Sequence, residues 1–222
     1  WGNGTASEHV VEPWMDKIKK RSRRQRNKAR VYRKHIKRLI QKGWPTGAYR
    51  KLSSVAVQKT LDPIEIAVVR AEIAHGYFIF GKDQLALNLS KKTYEEFGEL
   101  IPLASWVGGL SAWRQGKIME AAFYFQRLGE NIEASTKLKS AGAFWASRAH
   151  LISHQPRKAN ESLKQAAESP DSFYGMLARK VLGMSTGLNM TIDVKNDDIQ
   201  KLIYNYPKGK RAIALIQLSK HK

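Results

Sequence analysis

Residues 112–121, AWRQGKIMEA, carry the pattern that decides the fold of this chain. A helical run ends at Gly116, and Ala121 stands five residues later inside the next helical run. Glycine permits the left-handed backbone conformation that ends many helices, so Gly116 predicts a turn between two helices. The small side chain of Ala121 lets the second helix approach the first one closely. The stretch therefore predicts a helix–turn–helix pair.

The same spacing from glycine to alanine occurs twice upstream, in residues 42–48 (KGWPTGA) and 80–86 (FGKDQLA). The three glycines are 38 and 35 residues apart, and a weaker fourth copy follows in residues 155–159 (QPRKA). A period of this length is typical of stacked helix pairs, each of which buries its apolar face against the next. Little of the chain has the pattern of a strand. We predict an all-α fold, a tetratricopeptide-like helix-pair superhelix (α-solenoid).

Positive charge is concentrated near the N-terminus. The net charge is +20, and residues 17–61 hold 17 of the 39 Lys and Arg without a single Asp or Glu. The rest of the chain is almost neutral, with 22 basic and 19 acidic residues. Such a field attracts polyanions: nucleic acid, anionic lipid head groups or acidic wall polymers. The alternative interpretation is a helix face that is simply solvated.

Composition divides the chain into four parts. We expect a basic N-terminal arm, partly disordered or helical, in residues 1–30, and the repeat superhelix in residues 31–183. A linker is expected in residues 184–196, and further linker helices are expected to start in residues 197–222. Because the chain begins at Trp1 rather than Met, we interpret it as a processed protein or an excised piece.

No pattern in the sequence predicts a catalytic centre, a metal site or a cofactor. The absence of cysteine excludes disulfides, thiolate nucleophiles and Cys-based metal sites. His150 and His154 have a spacing that can chelate zinc, but no third ligand accompanies them, so we interpret them as polar residues at a helix end. The uncharged stretch 100–113 is fourteen residues long, too short to span a bilayer.

Aromatic residues fall into two groups. Four stand at helical spacing inside the repeats: Trp106, Trp113, Phe144 and Trp145. Aromatic faces can stack on sugars, but we expect these four to fill the space between helix pairs. Three tryptophans lie outside the best repeats and are expected to be exposed: Trp1, Trp14 and Trp44.

Three segments, in order and with matching spacing, resemble the soluble lytic murein transglycosylases. Residues 143–149 (AFWASRA) are similar to the family's aromatic-Trp-x-x-Arg-Ala helix. Residues 172–183 (SFYGMLARKVLG) are similar to its Phe-Tyr-Gly-x-Leu-Ala…Leu-Gly segment, and residues 211–218 (RAIALIQL) to its Arg-Ala-x-Ala-Leu helix. The resemblance covers about residues 101–222. The basic arm is not a feature that it leads us to expect.

The resemblance implies a periplasmic superhelix that precedes a lysozyme-like domain. In the family, a Glu of that domain cleaves the bond between N-acetylmuramic acid and N-acetylglucosamine and leaves a 1,6-anhydro product. The family's Glu-Ser-x-Phe, Gly-Leu-Met-Gln and Ala-Tyr-Asn-Ala-Gly motifs do not occur in this chain. The resemblance therefore transfers no catalytic residue. It transfers structural motif positions: Trp145, Arg148, Phe173, Tyr174, Gly175 and Arg211. Arg148 is expected to bond helix-end carbonyls or a carboxylate in the interior.

Three functional hypotheses follow. The first is a non-catalytic scaffold portion of a periplasmic lytic transglycosylase that acts on peptidoglycan. The second is a stand-alone tetratricopeptide-like adaptor with a protein partner in its concave face. The third is a nucleic-acid-binding module built on the basic arm, ranked last because no recognisable nucleic-acid-binding motif accompanies it. No hypothesis requires a cofactor or a membrane span.

Overall fold

A short 3₁₀-helix and ten α-helices make up the part of the chain that the computed structural model describes, residues 13–18 and 20–185. The 3₁₀-helix is Pro13–Lys17, and the α-helices are α1 (Arg23–Gln41), α2 (Pro45–Leu52), α3 (Val55–Gln58), α4 (Pro63–Ile79), α5 (Asp83–Phe97), α6 (Pro102–Arg114), α7 (Ile118–Glu130), α8 (Thr136–Ile152), α9 (Pro156–Ala167) and α10 (Phe173–Val181). These residues contain no strand, so the predicted all-α class is confirmed. None of the described helices is long and apolar enough to cross a membrane.

The helices alternate between two kinds. We call α1, α4, α6, α8 and α10 the A helices, and α2, α5, α7 and α9 the B helices, each of which follows its A helix after a tight turn. Each long helix packs against its neighbours along the chain. A helices also contact one another, α1 with α4, α4 with α6, and α8 with α10. The contacts thus follow the order of the chain, as in packing between repeats.

The turn from A helix to B helix has one geometry at all four positions. Its left-handed residue is Gly43 (φ 79°), Gly81 (φ 73°), Gly116 (φ 71°) and His154 (φ 56°) in the successive turns. The three predicted glycine turns are therefore confirmed. The fourth copy has the same turn, with a histidine at the position that glycine holds in the others.

The hydrogen bonds of the third turn show how these turns close. The N–H of Gly116 donates to the carbonyl of Trp113 (3.0 Å), and the N–H of Lys117 donates to the carbonyl of Ala112 (2.9 Å). This pair of bonds satisfies carbonyls that the end of a helix otherwise leaves without a partner. The corresponding two bonds occur in the other three turns.

The alanines that follow these turns lie in the core, as predicted. Ala48, Ala86 and Ala121 are fully buried, and Ala159 is 6% exposed. Small residues also allow the closest approach of neighbouring helices. A Cβ atom added to Gly142 on α8 would lie 2.8 Å from the backbone nitrogen of Gly129 on α7, so only glycine fits there.

The in-repeat aromatics pack between helix pairs, as predicted, although each remains half-buried. Trp145 stacks on Phe125 with a centroid distance of 5.8 Å and meets Trp113 edge to face at 5.2 Å. Trp44 is 53% exposed, which confirms that prediction, and Trp1 lies outside the described residues.

In the N-terminal region, helix α1 runs through residue 30 without a break, and it buries Ala29 and Ile36 against apolar residues of α2 and α4. Trp14 was expected to be exposed, and this was wrong, because the 3₁₀-helix lays its ring against apolar residues of α4 and α6 and leaves it 4% exposed. The basic segment is therefore built into the first repeat from Arg23 onwards. The linker beyond Ser185 and the helices expected in residues 197–222 lie outside the described residues.

We predict that His154→Gly stabilises the fold and that Gly116→Ala destabilises it. A left-handed non-glycine residue costs about 1–2 kcal/mol, and glycine loses about 0.5–1 kcal/mol more than alanine in chain entropy. We therefore expect His154→Gly to raise the free energy of unfolding by about 0.5–1 kcal/mol and Gly116→Ala to lower it by about 1 kcal/mol. Urea titrations followed by helical circular dichroism measure both.

The Gly116→Ala variant tests backbone strain alone, because no heavy atom beyond the adjacent residues lies within 4 Å of the added Cβ position. A loss of stability on His154→Gly would contradict the equivalence of the four turns.

Candidate functional site

A basic groove runs beside α1, between that helix, the 3₁₀-helix and α4. Its cavity volume is about 490 Å³. Its lining combines six cationic, three apolar and two acidic side chains: Arg21, Arg26, Arg30, Arg33, Lys34, Lys37, Trp14, Met15, Ile18, Glu65 and Glu72. We call this cavity the basic groove. Its charge comes from the segment that the sequence marks as basic, and its position comes from the packing of α1.

Four of the six cationic side chains are exposed to solvent. Arg26, Arg30, Lys34 and Lys37 are exposed and lie three or four residues apart on α1, so they share one side of the helix. They form no ion pair or hydrogen bond with the described part of the chain. The stripe is about 16 Å long at 1.5 Å per residue.

The remaining two cations hold the groove together through a buried carboxylate. Glu65, 3% exposed, lies on the first turn of α4. Its Oε2 is 2.8 Å from Nη1 of Arg21, and its Oε1 is 3.5 Å from Nη1 of Arg33. Arg33 also lies over the ring of Trp14, at 4.8 Å from the ring centroid. Glu65 thus joins α4 to α1 and to the segment before α1.

Glu65 also caps its own helix. Its Oε2 accepts a hydrogen bond from the N–H of Asp62 (3.0 Å), and the side chain of Asp62 accepts one from the N–H of Ile64 (3.0 Å). Burial alone raises the pKa of the Glu65 carboxyl. Hydrogen bonds from Arg21 and from the backbone of Asp62, with the charges of Arg21 and Arg33, outweigh burial and hold this pKa below its ordinary value. Glu65 is therefore ionised at neutral pH.

Two apolar cavities continue from the basic groove along the A helices. One, of about 470 Å³, lies between α1, α4 and α6, and another, of about 210 Å³, reaches the start of α8. Glu72 on α4 lines all three cavities. Together these three cavities form a surface along α1, α4 and α6 that is basic at α1 and largely apolar at α6. We call it the A-helix face.

Three of the motif positions pack as structural residues. Trp145 contacts the aromatic cluster around Phe125, and the ring of Tyr174 lies 5.5 Å from that of Phe144. Gly175 has no room for a side chain, because an added Cβ would lie 1.9 Å from the carbonyl oxygen of Ser169. Tyr174 thus joins α10 to α8, whereas Trp145 joins α8 to α6 and α7.

Two motif positions lie on the surface. The expectation that Arg148 bonds groups in the interior was wrong, because it lies on the exposed side of α8, with its guanidinium 5.7 Å from the centroid of the Trp145 ring. Phe173 is 64% exposed, since it stands on the opposite side of α10 from the buried Gly175. Arg211 lies outside the described residues.

The histidine pair does not form a metal site. His150 is 4% exposed and its two ring nitrogens have no hydrogen-bond partner in the described part of the chain, whereas His154 forms the left-handed turn and is exposed. Burial, with a smaller contribution from the charge of Lys158, lowers the pKa of His150. Within residues 13–18 and 20–185, no three His, Asp or Glu side chains are grouped so that they could hold a metal ion.

Comparisons with protein-family models, with curated proteins and with solved structures find no match to this chain.

Sequence reasoning missed the part played by Glu65. Residues 62–65, DPIE, have the pattern of a helix start, in which an Asp is followed three residues later by a Glu. That signal predicts the cap. It cannot predict the ion pairs, because Arg21 and Arg33 are 44 and 32 residues away in the sequence.

We predict that Glu65→Gln lowers the free energy of unfolding by about 3 kcal/mol at neutral pH, because two arginines lose a buried carboxylate. Glutamine can still close the capping box, so the loss reports the ion pairs. The pKa of Glu65 is lower in the folded state than its ordinary 4.5, so its contribution is present above that pH and is lost as the pH falls through the folded-state pKa. The difference in the free energy of unfolding between wild type and variant should therefore become smaller at acidic pH.

Glu130→Gln is the matched control. Its carboxylate lies 3.6 Å from Nη1 of Arg127, and both side chains are largely exposed. We expect it to change the free energy of unfolding by less than about 1 kcal/mol. Equal losses from the two variants in urea titrations would contradict the role assigned to Glu65.

Proposed function

We propose that this chain is the non-catalytic, superhelical scaffold of a periplasmic lytic transglycosylase and that it binds the anionic glycan of peptidoglycan in the basic groove. The parent reaction is cleavage of the bond between N-acetylmuramic acid and N-acetylglucosamine with a 1,6-anhydro product. The family assignment rests on the resemblance of residues 143–149, 172–183 and 211–218. The binding site rests on the charge and shape of the groove.

The observation that carries the binding proposal is the stripe of four cations that pair with no group in residues 13–18 and 20–185. A charge run that only kept the protein soluble would not need a concave site. Here the four cations line a cavity whose other wall holds Trp14, Met15 and Ile18. Cationic groups beside an apolar wall suit a ligand with carboxylates on a largely uncharged backbone.

The position of the charge at the start of α1 supports the same proposal. Arg23, Arg24 and Arg26 occupy the first turn of the helix, which contains no acidic residue. Positive charge there opposes the helix dipole. At low salt, each such charge destabilises a helix by about 0.3–1 kcal/mol. These arginines therefore do not stabilise α1, and Arg26 lines the basic groove, where an anionic ligand would offset its charge.

The repeated turns support the superhelical part of the proposal. Four A-to-B turns share one backbone geometry, and helix contacts follow the order of the chain. Stacked pairs of this kind build extended concave surfaces, which suit a long polymer.

Sedimentation with purified peptidoglycan sacculi tests the proposal. The groove variant neutralises the stripe: Arg26→Gln, Arg30→Gln, Lys34→Gln and Lys37→Gln. We expect it to lose about tenfold or more in affinity at low salt, because the exposed charges that attract the polymer are removed. The wild-type chain should itself bind more weakly as salt is raised.

A control variant removes the same charge elsewhere, at four exposed lysines outside the groove: Lys91→Gln, Lys92→Gln, Lys164→Gln and Lys180→Gln. It should sediment like the wild type. Equal losses of affinity in the two variants would show that binding depends on net charge and not on the basic groove. No sedimentation of the wild-type chain would contradict the proposed function.

A second candidate function, a protein-binding adaptor, is favoured by the apolar cavities of the A-helix face. The cavity of about 470 Å³ is lined by Ile40, Ile79, Phe80 and Leu103 among others, and Ile79 is 60% exposed. Exposed apolar surface in a concave face suits an apolar peptide segment. Substituting Ile79→Ser would weaken such a partner and leave sedimentation with sacculi unchanged.

A further inference from the structure

The first A-to-B turn differs from the other three by an exposed tryptophan. Trp44 follows the left-handed residue, and the same turn position holds Lys82, Lys117 and Gln155 in the later copies. All four have φ between −118° and −80° and ψ between 61° and 67°. The turn itself therefore does not require an aromatic residue. Yet Trp44 exposes 53% of its surface.

The ring of Trp44 packs against a glycine inside α2. A Cβ atom added to Gly47 would lie 2.4 Å from Cδ2 of Trp44, so the indole lies directly against the helix backbone. The later copies carry Leu85, Glu120 and Lys158 at the corresponding position. Glycine inside a helix is less favourable than alanine. The first repeat thus combines a helix-weakening glycine with an exposed indole. The glycine is needed because any side chain at position 47 would displace the indole.

The backbone that carries this ring is restrained by its neighbours. Trp44 stands between the left-handed Gly43 and Pro45, whose φ is fixed by its own ring, and the backbone N–H of Trp44 donates to the carbonyl of Leu39 (3.0 Å). One ring face is covered by Gly47. Little conformational freedom remains to be lost when a ligand packs on the outer part of the indole.

A shallow groove adjoins the ring and is positively charged. Its cavity volume is about 380 Å³, and it is lined by His35, Leu39, Trp44, Gly47, Arg50, Lys51 and Ser54. Two cations and no carboxylate stand in this lining. Arginine donates in a planar fork that matches a carboxylate, so Arg50 suits an acidic group presented beside the indole.

We propose that Trp44 is a stacking platform for a pyranose ring that carries a carboxylate, with Arg50 and Lys51 binding the carboxylate. The C–H face of the sugar packs on the indole, and the acidic substituent reaches the cations. The identity of the ring as a sugar of the glycan strand rests on the proposed function. The platform itself rests on Trp44, Gly47 and their groove.

Trp44 is the one Phe, Tyr or Trp in the lining of this groove, which favours a single sugar ring over a strand of successive nucleobases. Single-stranded nucleic acids are usually bound by aromatic side chains on which successive bases stack. The basic groove and this one share no lining residue, so they are separate sites on the first repeat. Variants at Trp44 therefore leave the basic groove intact.

Calorimetric titration of the full chain with a soluble disaccharide of N-acetylglucosamine and N-acetylmuramic acid tests the proposal. We expect Trp44→Gln, which places the residue of the fourth turn in the first, to raise Kd about tenfold or more. Gly47→Ala should also raise Kd, because the added methyl group displaces the ring while alanine strengthens the helix. Phe173→Gln removes another exposed aromatic residue and should bind like the wild type.

Two further ligands test the chemistry of the site. The uncharged chitobiose should bind several-fold more weakly than the acidic disaccharide, and equal affinity would remove Arg50 and Lys51 from the site. A thymidine oligonucleotide that bound more tightly, and did so through Trp44, would overturn the assignment to sugar.

The outcomes separate this proposal from the proposed function. Unchanged disaccharide affinity in Trp44→Gln, or no disaccharide binding by the wild type, would overturn the platform even if the wild type sediments with sacculi. Loss of disaccharide affinity in a variant with unchanged helical circular dichroism would support it. A wild-type chain that binds the disaccharide but not sacculi would retain the platform and contradict the proposed function.

Discussion

The structure depends on one backbone constraint, the left-handed residue that reverses the chain after each A helix. This residue reverses the chain direction within a tight turn, so that each B helix packs against its own A helix. The next A helix then packs against that pair. Because the same two hydrogen bonds close each turn, the four pairs begin with the same geometry. The buried alanines after the turns and the contact of Gly129 with Gly142 allow the helices to approach closely. Side chains of α1, α4 and α6 thereby come together around the same cavities.

Within that frame, Glu65 determines where the basic charge lies. A helix with as many cations as α1 repels itself, and its first turn opposes the helix dipole. Glu65 offsets part of this by pairing with Arg21 and Arg33 while it caps α4. Four of the other cations of α1 line the groove: Arg26, Arg30, Lys34 and Lys37. Stability and binding are thus divided between residues of the same segment. Arg21 and Arg33 hold the helix in place, and the four groove cations, which pair with no group in the part of the chain that the structure describes, are available to a ligand.

The departures from the repeat carry the functional information. Buried positions repeat from pair to pair because packing demands it, whereas an exposed Trp44 on a helix glycine has no packing requirement behind it. His154 is a departure of another kind, a strained residue in a turn that glycine would satisfy. The motif positions divide in the same way. Gly175 and Tyr174 are accounted for by packing, and Arg148 and Phe173 face solvent.

The sequence by itself determined the helical class, the position of the turns and the buried alanines, because a left-handed residue, a helix period and a small side chain are local requirements. It also determined that positive charge is concentrated near the N-terminus. Only the tertiary structure decided that the basic segment is part of the first repeat, that Trp14 is buried, and that Glu65 meets two arginines. Those outcomes depend on which helix faces come together, and residues far apart in the chain meet only when the helices pack. The platform at Trp44 was likewise decided by packing, since only the structure shows that the indole lies directly against the backbone at Gly47.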